Sequence, residues 1–388
     1  MKLFVLLSRV PYPLEKGDKL RAYHQLKLLH EKHEIFLCCL NFGRTEPDAE
    51  EKLKEISTHQ AIINLDFLLL PFFMLLALFS RKPLQVGYFF QWSAMIRIRK
   101  LIAAWQPDHI YAQLLRTAEY VKDLHHIPKT IDYQDCFSAG TARREKRSSW
   151  LTRPIWASEK RRLKYYEYIC FEYFENKTII SRQDRDAIPH HLNKDIVIVS
   201  NGVDLKGFTP LHIPRTTDLL FTGNMSYPPN VASVLYLVEK ILPEIRKSIP
   251  AVTLTICGAE PAKAVRDLAS DRVIVTGWVK DISAVYHTTR LFIAPMQMGA
   301  GLQNKLLEAM ACGVPCITSA LAANALLESP DEVLLIGHSP EDYAQKVVNL
   351  LSNADEMEAL AQKGRKFVME NYTWEQAVKP LEELFEKS

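Results

Sequence analysis

The sequence predicts an α/β protein of two Rossmann-like domains, each a parallel sheet flanked by helices. Three observations carry that expectation. The chain has 388 residues, which suits two domains of roughly 100–200 residues each. Short apolar runs alternate with longer helix-period stretches, the pattern of strand–helix–strand units, and this happens once in each half. Between the halves, Asn201-Gly202 ends a β-run and opens polar, proline-containing text from Lys206 to Arg215. Domains are therefore expected at 1–205 and 206–370, with 371–388 forming a C-terminal helix that packs back on the first. Open parallel sheets bind ligands beyond the C-terminal ends of their strands, so the two sheets are expected to face each other across a cleft.

In the first half, strands are expected at Lys2–Ser8, Glu34–Leu40, His109–Ala112, Lys129–Asp132, Lys177–Ser181 and Ile196–Ser200, with helices at Lys19–Lys32, Ala94–Trp105 and Ile155–Phe174. In the second half, strands are expected at Asp218–Thr222, Val252–Cys257, Val273–Thr276, Arg290–Pro295, Pro315–Thr318 and Glu332–Ile336. Helices Val231–Lys247, Pro261–Ala269, Leu302–Ala311 and Pro340–Leu351 fall between them. The opening run Met1–Ser8 reads as a buried strand and not a signal peptide, because Arg9 and Pro11 follow it with no small-residue cleavage site. Phe67 to Phe79 is apolar over 13 residues but contains Pro71, and a span needs about 20.

Composition excludes more than it assigns. Lys and Arg total 48 against 45 Asp and Glu, a net charge of +3, and 48% of residues are hydrophobic. These values fit a globular protein and disfavour a disordered or nucleic-acid-binding one. Seven cysteines, an odd number, sit mostly in apolar text, as expected of a reduced, cytoplasmic setting.

The most informative stretch runs from Gly299 to Pro315, Gly-Ala-Gly-Leu-Gln-Asn-Lys-Leu-Leu-Glu-Ala-Met-Ala-Cys-Gly-Val-Pro, between two expected strands. Gly299 and Gly301 let backbone approach a diphosphate, and the helix start offers free N–H groups and a favourable dipole. Lys305 adds a cation, and Glu308 lies on the same helix face, where a carboxylate can accept two ribose hydroxyls. A glycine-punctuated loop with an ordinary Lys/Glu pair is the plainer alternative for such a motif alone.

The block as a whole resembles the signature of family 4 glycosyltransferases, retaining enzymes of GT-B fold. It is most similar to a subgroup of sugar transferases associated with exosortase/PEP-CTERM exopolysaccharide systems, in which a Gly-(Ile/Leu)-Gln-Asn-Lys-x-Leu-Glu-Ala-Met-Ala run recurs. Further segments match in order. Gly17 to Arg21 resembles the first-domain glycine loop, and Asn201 to Pro210 the interdomain hinge. Phe221-Thr-Gly-Asn-Met-Ser-Tyr-Pro-Pro-Asn230 looks like the second-domain opening, followed by Cys257-Gly258 and Val275 to Asp281 at the next two strand ends. The resemblance implies a GT-B glycosyltransferase that takes a nucleotide diphosphate-sugar and a saccharide or polyprenyl-linked acceptor. It implies donor contacts at Gly17, Arg21, Gly223, Asn224, Val279, Gly299, Ala300, Gly301, Leu302, Lys305 and Glu308, with no cofactor. The family's usual Glu-x7-Glu pair is broken, because Ala300 stands where the first Glu would be. A non-catalytic nucleotide-sugar-binding protein and a sugar-nucleotide epimerase of the same shape are the rival readings.

Elsewhere, Asp132 follows an expected strand and is a candidate to stabilise the transition state or bind acceptor hydroxyls, with a helix-capping role equally open; Asp135 reads as a cap. Catalytic candidates are thus Lys305, Glu308 and Asp132. Positions 141 to 167 hold nine basic and three acidic residues with interleaved Trp and Tyr. Arg143, Arg144, Arg161 and Arg162 there suit an acceptor or an anionic membrane surface, and a solvated helix face equally well. No metal site is expected. Asp184-Arg-Asp186 follows Ser181, as a capped helix start does, and the histidine pairs lack zinc spacing.

Overall fold

The computed structural model describes residues 1–14, 16–211, 213–298, 301–326 and 330–387. Its contacts divide the chain into unit 1, Met1–Ser200 with Trp374–Ser388, and unit 2, Asn201–Thr373. Unit 1 holds seven parallel strands: β1 (Lys2–Leu7), β2 (Glu34–Asn41), β3 (His59–Asn64), β4 (His109–Gln113), β5 (Lys129–Asp132), β6 (Asn176–Ile179) and β7 (Val197–Ile198). Their order is β3-β2-β1-β4-β5-β6-β7. β1 is central, with Phe4 opposite Phe36 of β2 and Ile110 of β4. Its unbroken apolar run follows from burial on both faces, since Leu3, Val5 and Leu7 enter one core and Phe4 and Leu6 the other.

The helix Trp374–Glu386 belongs to unit 1. Its Val378, Leu381 and Phe385, at helical spacing, join the core of Leu26 and Leu29 on the helix Gly17–Leu29. His24 and Trp374 stack 4.8 Å apart, and Lys32 pairs with Glu382 at 2.8 Å.

Unit 2 holds β8 (Thr217–Thr222), β9 (Leu254–Cys257), β10 (Val273–Gly277), β11 (Thr289–Ala294), β12 (Cys316–Ser319) and β13 (Leu335–Gly337), parallel and in the order β10-β9-β8-β11-β12-β13. In each sheet the order reverses beside the first strand, between β1 and β4 and between β8 and β11. These are the places where a parallel sheet opens a crevice. Val203 N–H donates to Tyr372 O at 2.8 Å, so the two chain segments at the ends of unit 2 run side by side.

The predicted strands recur within a few residues, and β3 is an addition. It is an edge strand of His-Gln-Ala-Ile-Ile-Asn, mostly half-buried, so it lacks the continuous apolar text of its neighbours. The helix expected over Val231–Lys247 is instead Pro228–Tyr236 and Leu242–Ser248 joined by a π turn at Leu237–Ile241. Pro243 has no N–H to donate back into that turn, which accounts for the break.

One buried ion pair ties unit 1 together. Arg21 Nε donates to Asp132 Oδ2 at 2.8 Å and Nη2 to Oδ1 at 3.2 Å, while Nη1 donates to Ser200 O at 3.1 Å. Asp132 also accepts from Thr178 Oγ1 at 2.9 Å and Tyr111 OH at 3.3 Å, and both charged side chains are fully buried. Burial, the largest single effect, pulls the Arg21 guanidinium down, but the Asp132 charge, Tyr111, the Asp132 hydrogen bond and Asp135 together more than offset it and the net displacement is upward. The pair thereby connects the first helix, β4, β5, β6 and Ser200, where the first segment of unit 1 ends. Asp132→Ala would leave an arginine buried without its counter-charge, and the expected loss of stability is about 3–5 kcal/mol. Urea unfolding followed by far-UV circular dichroism measures it; a loss below about 1 kcal/mol would show that the pair is replaceable.

Candidate functional site

The site in unit 2 grows from the C-terminal ends of four strands. β8 ends at Thr222 and turns through Gly223, whose φ is +146°; β9 ends beside Gly258, with φ of +150°. A Cβ on Gly258 would sit 1.7 Å from Gly223 O, so only glycine permits these two strand ends to meet. A Cβ on Gly223 would lie 2.6 Å from Asn230 Nδ2 and 2.9 Å from Lys305 Nζ. Gly223 therefore makes room for a lysine.

That lysine opens the helix Asn304–Ala311 after β11. Lys305 Nζ donates to Asn230 Oδ1 at 2.6 Å and lies 4.5 Å from the centre of the Phe221 ring. Among the described residues it makes no ion pair. Desolvation pulls its pKa down to about 7, against the opposing pull of the Glu308 charge. Glu308 Oε2 accepts from Tyr286 OH at 2.9 Å, and Tyr286 OH meets Thr222 Oγ1 at 2.7 Å. Burial raises the Glu308 carboxyl above the ordinary range, opposed by the Tyr286 hydrogen bond and the Lys305 charge. Both side chains keep a partial solvent face. The helix start carries no side-chain cap, and Asn304 Oδ1 accepts from Asn201 Nδ2 at 2.9 Å. A cation held by a neutral amide and an aromatic face, next to uncapped helical N–H groups, is a place for an anion.

The remaining residues predicted for this site divide. Gly301 and Leu302 stand at the helix approach, and Gln303 Nε2 donates back to Gly301 O at 2.8 Å. Gly299 and Ala300 lie outside the described residues. Val279 follows β10 and packs partly on the core, past Gly277 with φ of +70°. Asn224 is half-buried, its Oδ1 accepting from Ser226 N–H at 2.8 Å and Ser226 Oγ at 2.7 Å, so it shapes the β8 loop. Sequence reasoning did not single out Asn230 or Tyr286. Asn230 carried a signal, as a poor helix former near the start of Pro-Pro-Asn-Val-Ala-Ser-Val-Leu-Tyr. Tyr286 carried none, since its partner lies on another element.

In unit 1 the structure corrects three readings. Arg21 and Asp132, expected on phosphate and at the reaction, are sealed from solvent and bind each other. Asp135 does not cap the following helix, Phe137–Arg147; that helix start is held by Glu167, whose Oε1 accepts from Ser138 N–H at 2.9 Å. Burial pushes the Glu167 carboxyl up to about 7, with the Ser138 bonds opposing. Asp135 is exposed, and crowding by protein, followed by the Asp184 charge, displaces its pKa upward. Asp184 N–H donates to Ser181 Oγ at 3.1 Å, the expected cap, and Asp186 pairs with Lys194 at 2.6 Å.

Gly17 begins its helix in the open, next to a small crevice of about 10 Å³ between β1 and β4 lined by Ser8, Arg9, Asp18, Lys19 and Gln113. Among the described residues, Ser8 Oγ is buried there without a hydrogen-bond partner. The basic residues from 141 to 167 are largely engaged by protein. Arg144 stacks 3.8 Å over Trp156, Lys160 pairs with Glu145 at 2.6 Å, and Arg143 faces Asp184 and Asp135. Arg162 donates to Ala77 O at 3.0 Å and Leu78 O at 2.9 Å, and only Arg161 of the four is both exposed and without such a contact.

Comparison with known proteins places this geometry. Residues 216–353 match the family model described as "Glycosyl transferases group 1". The match falls within unit 2 and contains Gly223, Asn230, Tyr286, Lys305 and Glu308. An uncharacterized 44.6 kDa protein in the cps region of Klebsiella pneumoniae is 24% identical over 233 residues, 54% of this chain and 57% of that one. The chain spans just over half the length of the first curated relatives it matches. Among solved structures, sucrose-phosphate synthase from Thermosynechococcus elongatus superposes with a TM-score of 0.74 at 15% identity, over 100% of this chain and 99% of that one. Anabaena HepE in complex with UDP superposes with a TM-score of 0.73 at 11% identity over 100% of both chains. The fold is GT-B, two parallel-sheet α/β domains as expected.

The depressed lysine has a consequence for stability. Unfolded, Lys305 titrates in the ordinary lysine range near 10.4; folded, it titrates near 7. Between these values the unfolded chain holds a proton that the folded chain lacks, so this residue costs stability progressively as pH falls from about 10 to 7, and by a constant amount below. Lys305→Met should therefore melt higher than the parent protein, by a margin that grows as pH drops across that window. Differential scanning fluorimetry across that window measures it; a constant margin would show an ordinary surface lysine.

Proposed function

We propose that the protein is a glycosyltransferase that moves a sugar from a nucleotide diphosphate-sugar to a saccharide or lipid-linked saccharide acceptor. We further assign it retention at the anomeric carbon, independence of metal, and a place in cell-surface polysaccharide synthesis of the exosortase-associated kind. The observation that carries the reading is Lys305, a desolvated cation without an ion-pair partner among the described residues, at the uncapped start of a helix on the sheet's C-terminal edge. The match of residues 216–353 to glycosyl transferases group 1 supports it, as does the likeness in fold to HepE, solved in complex with UDP.

In this reading the bond between the anomeric carbon and the phosphate oxygen breaks, and negative charge grows on the departing diphosphate. Lys305 and the N–H groups at the helix start meet that charge, the task a metal ion performs in other transferases. Glu308, held by Tyr286, accepts hydrogen bonds from the ribose hydroxyls, and the Val279 backbone meets the base. The Gly223–Gly258 contact fixes the floor beneath them. The acceptor hydroxyl gives its proton to the departing phosphate oxygen. In unit 1 the polar side chains around the mouth of the small crevice, Ser8, Asp18, Lys19 and Gln113, offer donors and acceptors to saccharide hydroxyls that rest over it. A lipid-linked acceptor places the protein at the inner face of the cell membrane.

Incubation with labelled UDP- and GDP-sugars, with and without acceptor and in EDTA, tests this. Acceptor-dependent transfer that survives chelation is expected, with the product's anomeric configuration matching the donor's by NMR. Lys305→Ala and Glu308→Ala should each lower kcat/KM at least about tenfold, equivalent to about 1.4 kcal/mol, without lowering the melting temperature. Full activity in both variants would remove the donor assignment. Donor turnover without acceptor would favour an epimerase, and binding without turnover a sugar-nucleotide-binding protein.

A further inference from the structure

We propose that the surface formed by Phe67–Phe79 and the first turns of the helix Trp92–Trp105 is a docking face for an anionic phospholipid bilayer. It deepens the membrane location proposed above, and its test contains no sugar, so the two readings fail separately.

The face starts at a 3-10 turn, Phe67–Leu69, and continues as the helix Leu70–Phe79, which contains no charged or polar side chain. Its inner stripe, Leu70, Phe73 and Ala77, is buried. Gly87 of the helix Leu84–Phe89 receives it so closely that a Cβ there would lie 2.6 Å from Ala77 Cβ and 2.8 Å from Phe73 O. Arg162 holds its far end by the carbonyls of Ala77 and Leu78. The helix is thus pinned on one side, and the other side is bare: Phe67, Leu68 and Phe79 are 70%, 85% and 81% exposed, with Phe72, Leu75 and Leu78 between them. Trp92 extends the face, its ring 6.3 Å from that of Phe72. Ile96 and Lys100 follow Trp92 at helical spacing, so the apolar stripe runs into a cation.

Charge decides the occupant. From Phe67 to Trp105 there is no acidic residue, and there are five basic ones. Lys82 and Arg99 pair with Glu119 and Asp123, which leaves Arg81, Arg97 and Lys100 exposed. A water-facing helix of this composition is costly, whereas apolar side chains inserted at the headgroup boundary with cations among lipid phosphates suit an interfacial helix. No helix among the described residues is long and apolar enough to cross a membrane, so the face lies on the bilayer and does not span it. Each cation near an anionic surface adds about 1 kcal/mol, screened by salt.

Co-sedimentation of the full chain with vesicles of phosphatidylglycerol and phosphatidylcholine in equal parts, and with phosphatidylcholine alone, tests the assignment. Binding to the anionic vesicles is expected, weaker at high salt. Phe67→Glu/Leu68→Glu/Phe79→Glu should lower it at least about tenfold, and Arg97→Gln/Lys100→Gln about threefold or more with a smaller salt dependence. Both sets of positions are exposed, and unchanged melting curves verify folding. Arg144→Gln/Arg161→Gln should bind as the parent does. No binding by the parent, or loss only in Arg144→Gln/Arg161→Gln, would overturn the proposal. So would a dimer in sedimentation equilibrium that the triple Glu variant dissolves, since a second copy would then cover the face.

Discussion

A lysine that pairs with no carboxylate among the described residues organises the candidate site. Lys305 is set between the Phe221 ring and the Asn230 amide, and everything near it follows from making that position possible. Gly223 has no side chain because one would collide with the ammonium, and Gly258 has none because one would collide with Gly223. Desolvation without full charge compensation leaves the ammonium unusually acidic, a cost that an arriving anion converts into binding energy. Glu308 is near enough to act on Lys305 through its charge, yet its own hydrogen bond goes to Tyr286. The arrangement is a poor stabilising device, and in the proposed function it is the receptor for a diphosphate.

Unit 1 shows the opposite use of charge. Arg21 and Asp132 are wholly buried, mutually bonded and further satisfied by Thr178, Tyr111 and the Ser200 carbonyl. Their role is to join distant parts of the chain, and no lone pair or N–H is turned toward solvent. Its polar openings lie instead at the crevice between β1 and β4, and its apolar one on the helix Leu70–Phe79.

Much of the fold was legible because central parallel strands are buried on both faces and therefore write themselves as short apolar runs. β3 escaped because an edge strand need not. The glycine-to-helix block from Gly299 onward singled out Lys305 and Glu308 as candidates because cation and carboxylate are local in sequence, one turn apart on the helix Asn304–Ala311. What surrounds them was not local: Asn230 is 75 residues from Lys305, and Tyr286 is 22 from Glu308. Arg21 and Asp132 illustrate the same limit, since nothing in two segments 111 residues apart says that their charges meet. Arg144, Lys160 and Arg162 looked free in the sequence for the same reason; their partners are Trp156, Glu145 and the carbonyls ending another helix.

The central claim is that Lys305 gives its charge to a nucleoside diphosphate. Isothermal titration of the protein with UDP and with GDP at pH 8, in two buffers of different ionisation enthalpy, measures protons taken up on binding. Free Lys305, with a pKa near 7, is mostly neutral at that pH, and a bound diphosphate raises it toward the ordinary range. The account predicts net proton uptake with whichever nucleotide binds, and its absence in Lys305→Met. Binding without proton uptake, equal uptake in the variant, or no binding of either nucleotide would contradict it.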